Sequence, residues 1–358
     1  MFKNTVRRAR TEKGRTLMLR TRAHASGTAR TPGVRAARLR RTAAGLVAAV
    51  AVTLTASCST TTETGAETGE KKDGGSATRT VQTPDGPVKI PTDPQRIIGL
   101  SYASAWMLDA GVPMVGVTDI DEGALSADQK AAVKKMTIVG EGNELNFEKI
   151  LSLKPDLIVI SAPKHVPFNI EKLKPIAPVL SYGIGKPTEL LPASLSVLDA
   201  AGAAEKGAEF KKAYDDKLAG IKSTYADKLG RTDWAIVNSG EAGKFSVYTE
   251  TSWLGAVAKD AGLKFAPVAG APKDEFSYDL SFEQIGKLKD ADVVLVDGDG
   301  PNGAPVAETK SLISQKNWSE LPAAKNKQVH PVPGFFISRY PEGVKILDQF
   351  EQILKALP

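Results

Sequence analysis

Aromatic and basic side chains stand close together in the segment GFFISRYP, near the C-terminus. Because Phe335 and Phe336 are adjacent, at least one of the two rings points outward from any strand that contains them. Arg339 and Tyr340 follow in a loop closed by Pro341. A guanidinium fork beside flat aromatic faces suits a ligand whose oxygen atoms carry partial negative charge. The alternative is a core phenylalanine beside a surface arginine.

Other polar and aromatic side chains follow predicted strands elsewhere in the chain. In an open α/β sheet the ligand lies beyond the carboxyl ends of the strands, so residues that come directly after strands are candidates for binding. An aromatic residue early in a helix, such as Tyr102 or Trp106, packs in a core as often as it binds a ligand. The candidates outside GFFISRYP are Tyr102, Trp106, Lys164, His165, Tyr182, Lys244 and Trp253.

The motifs of several enzyme classes are absent from the sequence. It contains no G-x-S-x-G, no H-E-x-x-H and no G-x-x-x-x-G-K-[ST], and no G-x-G-x-x-G follows the first predicted strand. After Cys58 only His165 and His330 remain as imidazole ligands, whereas direct binding of zinc or manganese usually takes several His or Cys. The acidic VDGDGPNG lacks the twelve-residue spacing of a calcium loop. We therefore predict no enzyme activity and no resident metal or other cofactor.

The first 42 residues are strongly basic, with thirteen Lys or Arg and a single acid, and the apolar run AAGLVAAVAVTLTAS then leads to Cys58, the only cysteine. A basic region, a short apolar stretch and small residues before a cleavage point are typical of an export signal. LTASC resembles a lipobox, in which the cysteine is lipidated; the alternative is an ordinary buried or free cysteine. We predict an export signal at 1–57 and a lipid on Cys58 that anchors the protein to the outer face of the cytoplasmic membrane.

The net charge of +6 belongs to that basic segment, because the rest of the chain has more acids than bases. Nucleic-acid binding needs a basic face on the folded domain, so we expect no nucleic-acid partner. The polar, Gly/Thr-rich residues after Cys58 lack the apolar surface that would offset the entropy of ordering them. This composition predicts a flexible tether over 58–79.

Short apolar runs alternate with helical patterns in two halves of the remaining chain. Strands are predicted at RIIGLS, PMVGVTD, TIVGEG, DLIVIS and IAPVLSYG, and again at DWAIVNSGEAGKFSVY, DVVLVDGDG and KQVHPVPG. This alternation indicates mainly parallel sheets with helices on both faces. The predicted fold class is α/β, with one α/β lobe at 80–190 and another at 231–358, joined by a single long α-helix within 191–230. Glycines at 202 and 207 predict a break before that helix, which would run from about 208 to 229.

One segment of the first half is nearly repeated in the second. LNFEKILSLKPDLIVIS begins at Leu145, and LSFEQIGKLKDADVVLVD begins at Leu280. The shared Phe, Ile and Leu positions are those that a helix followed by a strand buries in a core. Core packing does not require the shared Glu148 and Glu283, because an exposed helix position accepts many polar residues.

These segments, with KLKPIAPVL and WSELPAAKNKQVHPVP, resemble the ferric-siderophore and vitamin B12 class of substrate-binding proteins of ABC importers. The resemblance covers about residues 81–357. It implies two lobes joined by one long helix, a ligand in the cleft between them, and delivery to an ABC permease with its ATPase. It also implies that Glu148 and Glu283 dock into arginine pockets of the permease, the alternative being two solvated surface glutamates.

The ligand that the resemblance implies is a ferric siderophore, which brings its own oxygen ligands for iron. Because the candidate residues combine many aromatics with few bases, they favour a near-neutral hydroxamate chelate over a trianionic catecholate. Cobalamin and haem are alternatives within the family, and a lipid-anchored adhesion or sensor module is an alternative outside it. We expect a monomer. We also expect limited closure of its lobes, because one stiff helix joins them.

Overall fold

The computed structural model describes residues 77–118, 120, 125–241, 243–272, 274–299 and 303–358. The predicted export signal, Cys58 and nearly all of the predicted tether lie outside these ranges. Within the described ranges, no helix is long and apolar enough to cross a membrane.

The N-terminal lobe begins with an antiparallel hairpin and continues into a mainly parallel sheet. Its strands are β1 Thr78–Thr83, β2 Gly86–Pro91, β3 Ile97–Ser101, β4 Met114–Thr118, β5 Thr137–Glu141, β6 Glu144–Leu145, β7 Leu157–Pro163 and β8 Val179–Ile184. Its helices are α1 Tyr102–Asp109, α2 Ala127–Val133, α3 Phe147–Ser152 and α4 Ile170–Leu173. The sheet order is β6-β5-β4-β3-β7-β8, and neighbouring strands are parallel except β5 and β6.

The connection between the lobes is helical but interrupted. A 3-10 turn at Pro187–Glu189 leads into α5 Leu190–Ala200, α6 Ala204–Thr224 and α7 Ala226–Arg231. The predicted break occurs at Gly202, whose φ of 78° favours glycine. Gly207 does not break the chain, because it lies buried inside α6. The long helix therefore starts and ends earlier than 208–229, and Tyr225 separates α6 from α7.

The C-terminal lobe contains a mixed sheet. Its strands are β9 Asp233–Glu241, β10 Lys244–Tyr248, β11 Lys264–Phe265, β12 Ser277–Ser281, β13 Val293–Asp299, β14 Ala304–Pro305 and β15 Val329–Val332. Its helices are α8 Trp253–Asp260, α9 Ala307–Ile313, α10 Pro322–Lys325 and α11 Tyr340–Ala356, with 3-10 turns at Phe282–Leu288 and Lys316–Glu320. Strands β9, β13 and β15 are parallel, whereas β10 pairs antiparallel with β9 and β12.

Both sheets are buried on both faces. In β7, Leu157 and Val159 belong to one apolar cluster of the N-terminal lobe, whereas Ile158 and Ile160 belong to another. Side chains of a strand alternate between the faces of its sheet, so a strand covered on both sides needs an unbroken apolar run. This requirement explains the segment DLIVIS and its counterpart DVVLVD.

The predicted α/β class is confirmed, with two lobes and mostly parallel sheets. SFEQIGKLK, predicted as a helix, forms the 3-10 turn Phe282–Leu288. The hairpin of β1 and β2 was not predicted, and β1 starts at Thr78, inside the predicted tether. Because Val81 and Ile90 are its only fully buried side chains, the hairpin has too weak an apolar pattern to stand out in the sequence.

Candidate functional site

Residues that follow the carboxyl ends of parallel strands in the two lobes meet at the place of the predicted interlobe cleft. Trp106 lies in α1, directly after β3, and its Nε1 donates a hydrogen bond to the backbone oxygen of Ser338, 2.8 Å away. Ser338 lies between β15 and α11 of the other lobe. The loop that contains the predicted ligand-binding aromatics therefore meets the first helix of the N-terminal lobe.

The chain bends sharply where β3 enters the cleft. Ser101 has a φ of 57°, in the left-handed region that non-glycine residues rarely adopt. Its backbone N–H donates to Thr118 Oγ1 at 2.9 Å, which holds the bend against β4. The bend makes Tyr102 the first residue of α1, where its half-buried ring stacks on Trp106 with the ring centroids 6.1 Å apart. Burial raises the pKa of the Tyr102 hydroxyl, so it stays protonated.

Three aromatic side chains of the C-terminal lobe, Trp253, Phe276 and Phe336, form a surface that we call the aromatic wall. Trp253 contacts Phe276 and Phe336 edge to face, with centroids 5.1 and 5.0 Å apart. The exposed fractions of Phe276 and Phe336 are 41% and 47%. Large apolar side chains left exposed together mark a binding surface more often than isolated ones do. Trp253 also packs against the buried cores of both lobes, which places the wall at the junction of the lobes.

Hydrogen bonds hold the two loops of the aromatic wall in place. Ser252 caps α8, because its Oγ accepts a hydrogen bond from the backbone N–H of Gly255 at 3.0 Å. Thr249 binds the neighbouring loop twice: its N–H donates to the oxygen of Phe276 at 3.0 Å, and its Oγ1 donates to the oxygen of Glu275 at 2.7 Å. Both loops are therefore preorganised before any ligand arrives.

Phe276 was missed in the sequence because no predicted strand precedes it. It follows Asp274 and Glu275 and comes directly before β12, a strand whose existence was not predicted. The sequence offered one signal for an exposed aromatic residue here: a phenylalanine follows two acidic residues in a segment without apolar periodicity.

Three predicted basic residues are exposed: Lys164, His165 and Lys244. Lys164 and His165 directly follow β7, at its carboxyl end. Lys244 begins β10 in the other lobe, and its ammonium lies 3.4 Å from the carboxylate of Glu241. A surface pair of this kind contributes little stability, so Lys244 can exchange that partner for a ligand at small cost.

The arginines of the described ranges already have partners. A guanidinium that binds a carboxylate or a backbone oxygen has fewer donors left for a ligand. In residues 77–358, apart from the gaps given above, every arginine has a partner within the protein. The contacts are Arg79 with Asp199, Arg96 with the oxygen of Leu153, Arg231 with the oxygen of Pro358, and Arg339 with Asp109 and Glu342.

Burial corrects the prediction for three of the ligand candidates. Phe335 is 3% exposed and packs edge-on against Tyr248 in the core of its lobe. Tyr340 is 7% exposed and contacts Tyr214 in the same core. Tyr182 is 6% exposed and belongs to a core cluster of the N-terminal lobe. In this arrangement of the lobes these three rings pack in the cores and are not open to a ligand.

Trp106 and Arg339 are also buried, but they link the two lobes instead of filling one core. Trp106 is 2% exposed, and Arg339 is 9% exposed. The guanidinium of Arg339 lies 3.0 Å from the carboxylate of Asp109 in the other lobe. In this arrangement of the lobes, neither side chain is open to a ligand.

Asp297 lies at the carboxyl end of β13, and its carboxyl group has a shifted affinity for protons. Burial raises the pKa of Asp297 from its ordinary value of 3.8 to about 6; the hydrogen bond from the backbone of Gly298 opposes this shift, and the charge of Glu308 adds to it. Folding therefore makes the carboxylate form of Asp297 less favourable than it is in the unfolded chain.

Asp297→Asn should stabilise the protein at about pH 7.5 and change little near pH 4. Because the folded pKa lies above the unfolded one, the native state retains a proton that the unfolded chain has lost. The free energy of unfolding therefore falls as pH rises from about 4 to about 6. The shift sets an upper limit of about 3 kcal/mol, and partial solvent access reduces the expected gain to about 1–2 kcal/mol. Urea unfolding of both proteins across this pH range measures it. An equal pH dependence in the two would contradict the assignment.

Glu148 and Glu283 occupy equivalent places in the two lobes. Each is the second residue after a polar cap, Asn146 in α3 and Ser281 in the 3-10 turn, and each is exposed. A hydrogen bond from Ser281 lowers the pKa of the Glu283 carboxyl, which keeps it ionised. The repeated sequence thus corresponds to a repeated surface feature, with one carboxylate in each lobe.

Comparison with known proteins gives the family. Residues 97–333 match the family model described as "Periplasmic binding protein". The chain belongs to the periplasmic binding protein family. The Iron(3+)-hydroxamate-binding protein YxeB of Bacillus subtilis (strain 168) is 30% identical to this binding protein over 70% of this chain and 76% of the relative. The Fe(3+)-citrate-binding protein YfmC of the same organism is 27% identical over 70% of this chain and 77% of the relative.

Solved structures agree with this assignment. The siderophore periplasmic binding protein from the fuscachelin gene cluster of Thermobifida fusca is 29% identical to this binding protein, with a TM-score of 0.66. The match covers 74% of this chain and 98% of that one. The resemblance to substrate-binding proteins for ferric siderophores is thereby confirmed. The relatives are binding proteins of transporters and not enzymes, in agreement with the absence of enzyme motifs in the sequence.

Proposed function

We propose that this binding protein captures a ferric siderophore in the cleft between its lobes and delivers it to the permease of an ABC importer. The observation that carries the proposal is the aromatic wall, which is partly exposed and lies where the lobes meet. Relatives named for ferric hydroxamate and ferric citrate support a ferric complex as the ligand. In such a complex the chelator supplies the oxygen ligands of the iron, and the protein supplies shape and apolar contact.

The chelate that fits best is a hydroxamate of low net charge. The arginines of the described ranges are engaged with carboxylates and backbone oxygens, as given above, and three exposed bases remain among the predicted contacts. Stacking and burial against aromatic rings favour a ligand with little charge to desolvate. A highly anionic chelate, a ferric citrate or a tris-catecholate, would need more unpaired cations than this cleft offers. Cobalamin and haem are the other ligands to compare.

The expected contacts come from both lobes. From the C-terminal lobe, Trp253, Phe276 and Phe336 form the apolar surface, and Lys244 supplies a cation. From the N-terminal lobe, Tyr102 adds a ring, and Lys164 and His165 add charge. A ligand that contacts both sets is held only when the lobes are close together, which couples binding to the conformation that the permease receives.

We further propose that the protein is exported by the signal at 1–57 and anchored by a lipid on Cys58. The order of a basic segment, an apolar run and a lone cysteine supports this proposal. A single acyl chain binds membranes only weakly, so stable anchoring requires a second acyl chain or another membrane-binding signal. Mass spectrometry of the membrane-bound protein tests it, because an unmodified Cys58 would contradict lipidation. We propose a monomer, to be tested by the mass of the soluble form in solution.

Direct titration tests the ligand. Ferrioxamine, a ferric catecholate, ferric citrate, cobalamin and haem are each added to the protein while tryptophan fluorescence is followed. Trp253 is half-buried in the aromatic wall and Trp106 stacks on Tyr102, whereas Trp234 and Trp318 are buried elsewhere, so bound chelate should quench Trp253 and Trp106 most. Saturable quenching by ferrioxamine, with little effect of its iron-free form, is the expected result. Stronger binding of ferric citrate or the ferric catecholate than of ferrioxamine would overturn the hydroxamate assignment. No quenching by any of the five ligands would overturn the proposal.

Phe336→Ala is expected to weaken binding of the ferric chelate by about tenfold or more. Burying one aromatic ring against a ligand contributes about 1.5–3 kcal/mol, which is a factor of about 10 to 100 in the dissociation constant. Leu151→Ala is the matched control, because Leu151 is another exposed apolar side chain, 61% accessible, on α3 of the N-terminal lobe. Isothermal titration of the three proteins measures the effect. Equal affinities for Phe336→Ala and the parent would remove Phe336 from the site.

A further inference from the structure

A polar network crosses from one lobe to the other beside the cleft. Asp109 at the end of α1 receives a hydrogen bond from Arg339 at 3.0 Å and another from Gln129 of α2 at 2.9 Å. Arg339 also donates to Glu342 at 2.6 Å, and the N–H of Ser338 donates to the same carboxylate at 3.0 Å. Together with the hydrogen bond from Trp106 to Ser338, these contacts join α1 and α2 to the start of α11.

We propose that this network is an interlobe clasp that sets the resting separation of the lobes, so that the cleft is preformed before ligand arrives. The clasp consists of Trp106, Asp109 and Gln129 on one lobe and Ser338, Arg339 and Glu342 on the other. Its polar contacts have fixed partners and directions, whereas apolar contacts between lobes allow sliding. The inference goes beyond the proposed function, since it concerns the empty protein.

The burial of the ion pair makes it costly to remove one partner and leave the other. The side chains of Arg339 and Asp109 are only 10% and 9% exposed. Breaking a buried pair leaves an uncompensated charge, which is far more costly than losing a surface pair. The other carboxylate oxygen of Asp109 is buried without a hydrogen-bond partner, so the charge of Asp109 depends on the oxygen that Arg339 and Gln129 share. The lobes can separate only if water replaces these contacts.

The clasp also positions the aromatic wall. Ser338 and Arg339 lie two and three residues after Phe336, in the short loop between β15 and α11. Fixing this loop against α1 fixes the ring of Phe336 relative to Tyr102, which begins the same helix. Asp109 and Trp106 are therefore positioning residues for ligand binding, and they need no contact with the ligand.

Distance measurements between the lobes test the clasp without any ligand. Spin labels are placed at Asp128→Cys in α2 and Lys310→Cys in α9, both exposed, in the full chain with Cys58→Ser. In the Trp106→Phe/Asp109→Asn variant we expect the distribution of label distances to lengthen and broaden relative to the clasped parent. Asp199→Asn, which breaks the pair between Arg79 of β1 and α5, outside the clasp, is the matched control and should leave the distribution unchanged.

Ligand binding should bring the separated lobes of the variant back together. Saturating ferrioxamine should return the label distances of the variant to those of the parent. The affinity of the variant for ferrioxamine should be about tenfold weaker than that of the parent if only about a tenth of the empty variant molecules are closed. A folded variant with the parent's distance distribution would overturn the clasp, even if its melting temperature fell. If the double variant fails to fold, Trp106→Phe alone is measured under the same criterion. If the parent binds no chelate, the proposed function fails, but the comparison of empty proteins still decides the clasp.

Discussion

Replacing both Glu148 and Glu283 with alanine is expected to abolish import while the affinity for the chelate stays unchanged. Both carboxylates are exposed and lie on the helix-strand unit that the two lobes share. On a chain that is net acidic after its basic N-terminal segment, they suit a cationic surface of the permease, which would speed encounter and fix orientation. Truncating one partner of a charge pair that becomes buried costs about 2–5 kcal/mol, so losing two lowers docking affinity by at least about 100-fold.

The control for this docking prediction removes two negative charges at other exposed positions. Glu171→Ala and Glu320→Ala each remove an exposed glutamate, one from each lobe, and the double control should import normally. Uptake of labelled ferric chelate into cells, combined with a binding titration of the purified proteins, separates docking from ligand capture. Normal uptake by Glu148→Ala/Glu283→Ala would show that these are ordinary solvated surface residues. Loss of chelate binding in this variant would instead place them in the ligand site.

Gly255→Ala is expected to destabilise the protein by about 3 kcal/mol or more, and to disrupt the aromatic wall. A Cβ atom on Gly255 would lie 1.9 Å from the backbone oxygen of Thr249 and 2.5 Å from Oγ of Ser252. The first contact is with backbone, which has no rotamer by which to move away. Relieving it must shift the cap of α8 or the loop that holds Phe276, and either shift displaces Trp253. We therefore expect weaker chelate binding as well as lower stability.

Gly220→Ala is the matched control for this substitution. Gly220 lies in the exposed interior of α6, and a Cβ there meets nothing within 4 Å. Because alanine is the better helix former, the control should gain about 0.5–1 kcal/mol. Thermal unfolding of the two variants beside the parent should show opposite shifts, with that of Gly255→Ala about 6 °C or more downward. Equal stability of Gly255→Ala and the parent would mean that the α8 loop adapts without cost.

The sequence by itself determined the fold class, the central strands of both sheets and the places of the paired glutamates. These features depend on neighbours a few residues away. DLIVIS is unbroken in apolar character because β7 is covered on both faces. Glu148 and Glu283 each follow a capping residue by two positions, and a cap is a local signal. The long connecting helix was also predicted, although Tyr225 interrupts it in a way that its helical pattern did not show.

Only the tertiary structure decided which candidates face the cleft. Phe335 and Phe336 are adjacent residues of the same type, and the sequence does not distinguish them. In the structure Phe335 packs against Tyr248 and is buried, whereas Phe336 is 47% exposed. Phe276 joins the aromatic wall through Trp253, a contact between segments that no short pattern connects. Arg339 resembles an anion receptor in the sequence, yet its partner Asp109 lies 230 positions away and in the other lobe. Periodicity reports the burial of a strand or helix, whereas the exposure of these side chains depends on contacts between segments that are distant in the sequence.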